Sequence, residues 1–411
     1  MKLTNIFTLF LLISILVSCR KQEFMPEPEG DKVPFQEINT SLKEAITASP
    51  YAIFKAAWER SNMDAILKIK GAKTPLTVLA PSNEAFIADG LTLEKINEMP
   101  AALLDSILLY HTLTGNYNPD DFNGREDSFI AKTILENPFL KVKPAISGYS
   151  LADPYFYIQA LKLNGKSLFI NGKSAGESAP IQAKNGVLWP INKVLHKPTK
   201  TIYDVLKDDG RFGMYVELNE RADAWFQELT SYSIQHDFTE GLVVSTAGDY
   251  NIIFNSIFAI TDEAFHQAGF QTVDELLELN NRNPLPYMDW DTYSVKGAFA
   301  TDSLMAYHRW GTSFAPNDPN YGGGVKNPNN FYTNDLNNVL LSDYTLVTSS
   351  YYGTVTYFKM PLDFGKEGTQ VTVKVKGSDQ PAAKITEGDI NTLMGPIHVV
   401  DRLILPKGFK L

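Results

Sequence analysis

TPLTVLAPSNEAF occupies residues 74–86, and a second version of the pattern, NIIFNSIFAITDEAF, closes at Phe265. The first copy is followed by LLYHT at Leu108 to Thr112 and by NGVLWPINKVL at Asn185 to Leu195. The second copy is followed in the same order by LMAYHRW at Leu304 to Trp310 and by GPIHVVDRLILP at Gly395 to Pro406. Three short blocks in one order, twice, predict two copies of one domain.

Local signals between the blocks give the fold class. Ser41 and Glu44 have the spacing of a capping box, so a helix is expected after Ser41. Apolar positions at Ala52, Ile53, Ala56 and Ala57 predict a second helix, and Met63, Ile66 and Leu67 a third. Leu76 to Ala80 reads as a buried strand closed by Pro81. Ser82 and Thr92 are caps for the helices that follow, and Ala101 to Tyr110 is a longer helix. Strands are expected at Ile158–Leu163, Leu168–Ile170 and Val187–Val194, with tight turns at Asn164-Gly165 and Asn171-Gly172. A boundary is placed at Lys197 to Lys200, where Thr201 and Asp204 start a new helix. The second half repeats the plan, with strands at Thr354–Met360, Gln370–Lys376 and Ile397–Leu405. Its insertions lie near 279–295 and 313–338. Helices followed by strands, repeated, predict α+β.

The start of the chain carries a different message. Lys2 precedes an apolar run from Leu9 to Val17, and Leu16-Val17-Ser18-Cys19 resembles the bacterial lipobox. Residues 1–18 are therefore expected to be a signal peptide, with Cys19 acylated and residues 19–37 acting as a polar, proline-bearing tether. Cys19 is the single cysteine of 411 residues, so no internal disulfide and no cysteine-based metal site can form. The expected attachment is lipid at the cell envelope, in the outer membrane, on the surface or the periplasmic face. The net charge of −10 and the lack of a long basic run argue against nucleic acid as a partner.

The three blocks resemble the fasciclin-like domain, an extracellular adhesion module. Thr77 to Phe86 match its first block, Tyr110-His111 and Tyr307-His308 its middle Tyr-His pair, and Asn185 to Leu195 and Gly395 to Pro406 its last block. Trp189 and Asn192 stand where His and Asp are usual, whereas His398 and Asp401 keep them. Ile260 and Asp262 stand in place of Pro81 and Asn83. The resemblance implies two tandem domains, 38–198 and 199–411, each with helices packed on a small seven-stranded β-sandwich or wedge. It also implies adhesion or the binding of protein or glycan, without catalysis. In bacteria of the Bacteroidetes type such lipoproteins resemble accessory parts of outer-membrane polysaccharide-uptake systems, which would make an importer complex a partner. A carbohydrate-active hydrolase is the alternative of another class.

Candidate residues divide by chemistry. Tyr287, Trp290 and Tyr293 in the first insertion, with Trp310, Tyr321, Phe331 and Tyr332 in or beside the second, are candidate ligand platforms, since flat rings stack on sugar faces. Tyr110, His111, Tyr307, His308, Asn83, His398 and Asp401 carry the family pattern and are expected to be structural: a tyrosine packs its ring, and a histidine caps carbonyls at a helix end. Asp318 to Gly322 opens like a calcium loop, but Asn329 replaces the closing glutamate. The six histidines form no zinc spacing, and GxSxG and a phosphate loop are missing. No catalytic residue, metal or cofactor is expected.

Overall fold

The computed structural model describes residues 38–70, 74–142, 153–177, 179–231, 251–252, 254–310, 330–349 and 355–411. Thr40 to Leu411 form one compact unit. Among the described residues no helix is long and apolar enough to cross a membrane.

The first half begins with three helices: α1 (Leu42–Ala48), α2 (Ala52–Arg60) and α3 (Met63–Lys70). Ser41 caps α1 with the expected box: Glu44 N–H reaches Ser41 Oγ at 3.3 Å, and Ser41 N–H reaches the Glu44 carboxylate at 2.7 Å. Strand β1 (Leu76–Pro81) is buried along its whole length. Helices α4 (Asn83–Ala88), α5 (Leu93–Glu98) and α6 (Ala101–Tyr110) follow. Strands β2 (Thr112–Thr114), β3 (Phe129–Val142), β4 (Asp153–Asn164), β5 (Ser167–Ile170), β6 (Lys173–Glu177), β7 (Ile181–Ala183) and β8 (Gly186–Ile191) complete it. They lie in the order β6-β5-β4-β3-β2-β1-β8-β7. The two Asn-Gly turns form as expected, with positive φ at Gly165, Asn171 and Gly172.

The second half opens with α7 (Ile202–Asp208) and the long α8 (Gly213–Thr230). Strands β9 (Asn251–Ile252) and β10 (Ser256–Ile260) lead to α9 (Asp262–Gln267) and α10 (Val273–Glu278). The stretch 279–295, read from the sequence as an insertion, holds a 3-10 turn at Leu279–Arg282 followed by a hairpin of β11 (Tyr287–Asp289) and β12 (Ser294–Lys296). These strands are three residues each, too short for alternation to show. Helix α11 (Ala300–Met305), β13 (Arg309–Trp310), α12 (Asn338–Leu341) and strands β14 (Thr345–Ser349), β15 (Val355–Lys359), β16 (Leu362–Glu367), β17 (Gln370–Val375), β18 (Ala383–Asn391) and β19 (Pro396–Val400) finish the chain. The sheet here runs β13-β10-β19-β18-β17-β16. The fold is α+β in both halves.

The duplication is visible strand by strand. β1 lies between β2, antiparallel, and β8, parallel; β10 lies between β13, antiparallel, and β19, parallel. A glycine stands at the entry to the parallel partner each time: Gly186 opens β8, and Gly395 immediately precedes β19. A Cβ on Gly186 would meet Leu76 O at 2.0 Å, and one on Gly395 would meet Asn255 O at 2.0 Å. Both glycines also hold positive φ, 150° and 139°, so no other residue fits without backbone movement.

The halves are joined by polar and apolar contacts. β3 pairs with β9 through Lys141 and Val142. The Asp335 carboxylate accepts from Ser128 N–H at 3.0 Å and from Ser128 Oγ at 2.9 Å, with Lys162 Nζ at 3.5 Å. Tyr155 Oη donates to Leu393 O at 2.8 Å. Tyr110, Tyr155 and Tyr157 of the first half pack into the same apolar cluster as the second half's core.

Candidate functional site

The Tyr-His pairs are interior. His111 closes α6: its Nδ1–H donates to Ile107 O at 2.8 Å, and its Nε2 accepts from Leu195 N–H at 2.9 Å. His308 repeats both bonds, to Leu304 O at 3.0 Å and from Ile404 N–H at 3.0 Å. Because a backbone amide can only donate, each Nε2 must be an acceptor, and each ring is neutral with its proton on Nδ1. Burial, the largest cause, lowers the pKa of both histidines to about 4. Tyr110 is buried and meets Tyr157 edge-on at 5.7 Å, while Tyr307 is half-buried.

The remaining pattern residues hold backbone in place. Asn83 Oδ1 accepts from Ile53 N–H at 3.0 Å, and its amide donates to Pro50 O at 3.1 Å, fixing the start of α2. Asp262 Oδ1 accepts from Met214 N–H at 2.8 Å, which fixes the start of α8 in the same way. This explains how aspartate can replace asparagine in the second copy: the acceptor does the shared work. Asp401 Oδ1 accepts from Lys384 N–H at 2.7 Å.

Trp189 and His398 share one position, beside Leu79 in β1 and Phe258 in β10. Trp189 Nε1–H donates to Tyr117 O at 2.6 Å, and His398 Nε2–H donates to Phe331 O at 2.7 Å. Tyr117 N–H in turn donates to Thr77 Oγ1 at 2.9 Å, and Phe331 N–H to Ser256 Oγ at 2.7 Å. A ring N–H on the last strand and a hydroxyl on the first thus clamp one covering residue in each half. Burial holds His398 neutral despite Asp389 Oδ1 at 4.0 Å.

The aromatic candidates separate sharply. Tyr287, Trp290 and Tyr293 are 54%, 64% and 76% exposed on the β11–β12 hairpin. The hairpin tip is organised by Asp289, whose Oδ1 accepts from Asp291 N–H at 3.0 Å and from Thr292 N–H at 3.2 Å. Tyr293 holds φ at 50°, unusual for a bulky residue. Tyr332, expected as a ligand platform, is instead 1% exposed, and its hydroxyl donates to Asn391 Oδ1 at 3.0 Å. Its ring has no free face, because the segment after Asn330 is drawn between the halves. Phe331 is likewise buried. Trp310 pairs its backbone with Ser256. Cys19, Tyr321 and the calcium-like stretch 318–329 lie outside the described residues.

Sequence reasoning missed the charged cluster between the halves. Ser128, Lys162 and Asp335 stand far apart in the chain and belong to no motif. Desolvation pushes the Asp335 carboxyl above its usual value, opposed by Ser128 and Lys162.

Residues 49–198 match the Fasciclin domain family. No curated protein matches the chain. Among solved structures, the chain is similar to a FAS1 domain pair from the insect cell adhesion molecule fasciclin I. Identity is 14%, coverage is 86% of this chain and 96% of that one, and the TM-score is 0.31.

Proposed function

We propose that this chain is a lipid-anchored binding protein of the bacterial cell envelope, built from two fasciclin-like domains, that recognises a glycan or protein ligand without turning it over. The observation that carries the reading is the β11–β12 hairpin, where three large rings stand in water within seven positions while most of the other large rings among the described residues are buried. Scattered apolar residues on a surface need no explanation, but a cluster on a braced tip favours recognition. Asp289, Asp291 and Thr292 lie between the rings in sequence, so acceptors and donors for hydroxyls accompany the stacking faces. That combination favours a glycan over a protein as ligand. Capture for an outer-membrane importer is the narrower form of the same proposal.

Two experiments test it. On a glycan and protein array, Trp290→Ala with Tyr293→Ala is expected to lose the retention shown by the unmodified chain at unchanged melting temperature. Equal retention would remove the hairpin from the proposal, and release of shorter sugars from a retained glycan would replace binding with hydrolysis. Cys19→Ser is expected to move the chain from the membrane to the soluble fraction; a variant that stays in the membrane fraction contradicts the anchor.

A further inference from the structure

Helices α8 and α10 face each other across a groove of about 750 Å³, within the usual size of ligand sites. One wall carries Ala224, Trp225 and Glu228 on α8; the other carries Leu277 and Glu278 on α10 and Asn281 on the 3-10 turn that follows it. Positions three and four apart share a helix face, so each wall is a single stripe of its helix.

The groove is braced. Arg221 on α8 donates to Asp274 on α10, Nη2 to Oδ1 at 2.5 Å, and to Glu217 from Nη1 at 2.9 Å. Its guanidinium thus has its counter-charges and ties the walls together. The Trp225 ring is half-buried and stacks on Phe299 behind it, with centroids 4.9 Å apart at 27°. A ring already fixed in place loses little freedom when a ligand packs on it. Its indole N–H meets no acceptor among the described residues and is not one of the buried atoms in that state. Ala224, small and exposed, leaves room beside the ring.

The polar groups set the ligand class. Glu228, Glu278 and Asn281 are exposed and make no ion pair or side-chain hydrogen bond among the described residues. Both unpaired charges are negative, on a chain of net charge −10, so an acidic ligand is repelled. Sugar hydroxyls fit: they donate to the carboxylates and pair in both directions with the amide. The groove also adjoins the hairpin. β11 packs on α8, and the chain runs from Asn281 to the exposed ring of Tyr287 in six residues, a span of at most about 20 Å.

We infer that the groove between α8 and α10 is a second subsite for the glycan held by the hairpin, taking neutral sugar units and rejecting acidic ones. The inference rests on the reading that the ligand of this chain is a glycan.

The test uses the full chain in detergent and labelled xylohexaose, mannohexaose, cellohexaose, maltohexaose and polygalacturonate. Ala224→Gln fills the groove from one wall, and Glu228→Ala with Glu278→Ala removes its acceptors. The expected result is that at least one neutral probe is retained, that each groove variant weakens its retention about tenfold or more, and that melting temperatures stay within a degree or two. Retention unchanged in both groove variants but lost with Trp290→Ala overturns the groove and leaves the hairpin. Losses that appear only with a fallen melting temperature overturn it too. Retention of polygalacturonate by the unmodified chain overturns the neutral-ligand assignment. Failure of the unmodified chain to retain any probe overturns the groove together with the glycan reading on which it rests.

Discussion

His111 and His308 each sit where one ring nitrogen must give a proton and the other must take one. Adding a second proton breaks the bond from Leu195 or Ile404 and leaves a buried charge. The sign of the pH effect follows. The unfolded chain binds the proton near 6.5, and the folded chain resists until about 4. Between those values the unfolded state holds more protons, so stability falls as pH falls through the window and is level above it. For each ring the loss is on the order of 3 kcal/mol at the lower edge. His398 is shifted in the same direction. Around His111 the charged neighbours are Asp89 and His196, which pull in opposite directions. Carboxylates lowered by partners, such as Asp64 and Asp209, lose their contribution only below the ordinary carboxylate range. Asp335, raised by burial, acts oppositely. Urea midpoints are therefore expected to drop between pH 6.5 and 4. The double variant His111→Asn, His308→Asn should start lower at pH 7 but change less across the window; an equally steep slope would show that the histidines are not its source.

Helix starts were legible in the sequence because their physics is local. Ser41, Ser82, Thr92 and Thr201 all cap as read, each bonding an amide three residues on. The Asn-Gly turns were legible for the same reason. Strand β3 was not: it changes register against β4 twice and mixes buried and exposed positions without alternation. Only its partners define it. The candidate site divides in the same way. Tyr287, Trp290 and Tyr293 have the same sequence texture as Tyr332, and only contacts distant in the chain, such as the bond to Asn391 59 positions away, place Tyr332 in the interior. One long-range device can nonetheless be tested at the level of a helix. Asp262 bonds the second residue of α8 through its oxygen alone, so Asp262→Asn should be nearly neutral, whereas Asp262→Ala should cost about 1 kcal/mol, as lost caps do. Chemical denaturation compares them; equal losses in both would mean that charge, not the acceptor, fixes the start of α8.

A duplicated chain could fold as two independent beads, but here the halves share a core and a buried ion pair. Tyr110, Tyr155 and Tyr157 are packed with second-half residues, and no disulfide can contribute, so cohesion between the halves comes from this interface. Lys162 is its polar centre. Its ammonium reaches Glu126 O at 2.7 Å, Asn334 O at 2.8 Å and the Asp335 carboxylate at 3.5 Å. Two of these partners are in the second half, so the lysine senses whether the halves are docked. Removing Asp335 leaves a buried cation with carbonyls only, and breaking such a pair typically costs about 3–5 kcal/mol. The carbonyls that remain place Asp335→Ala near the low end, about 3 kcal/mol. Pairing Asp335→Leu with Lys162→Met removes both charges, so the double variant should lose less than the sum of the two single losses. Calorimetry should find one transition for the unmodified chain, because the shared aromatic core cannot open in one half alone. In Asp335→Ala the transition should move down and broaden or split as docking weakens. Two separate transitions in the unmodified chain, both unmoved by Asp335→Ala, would mean that the halves unfold independently and that the shared core does not couple them.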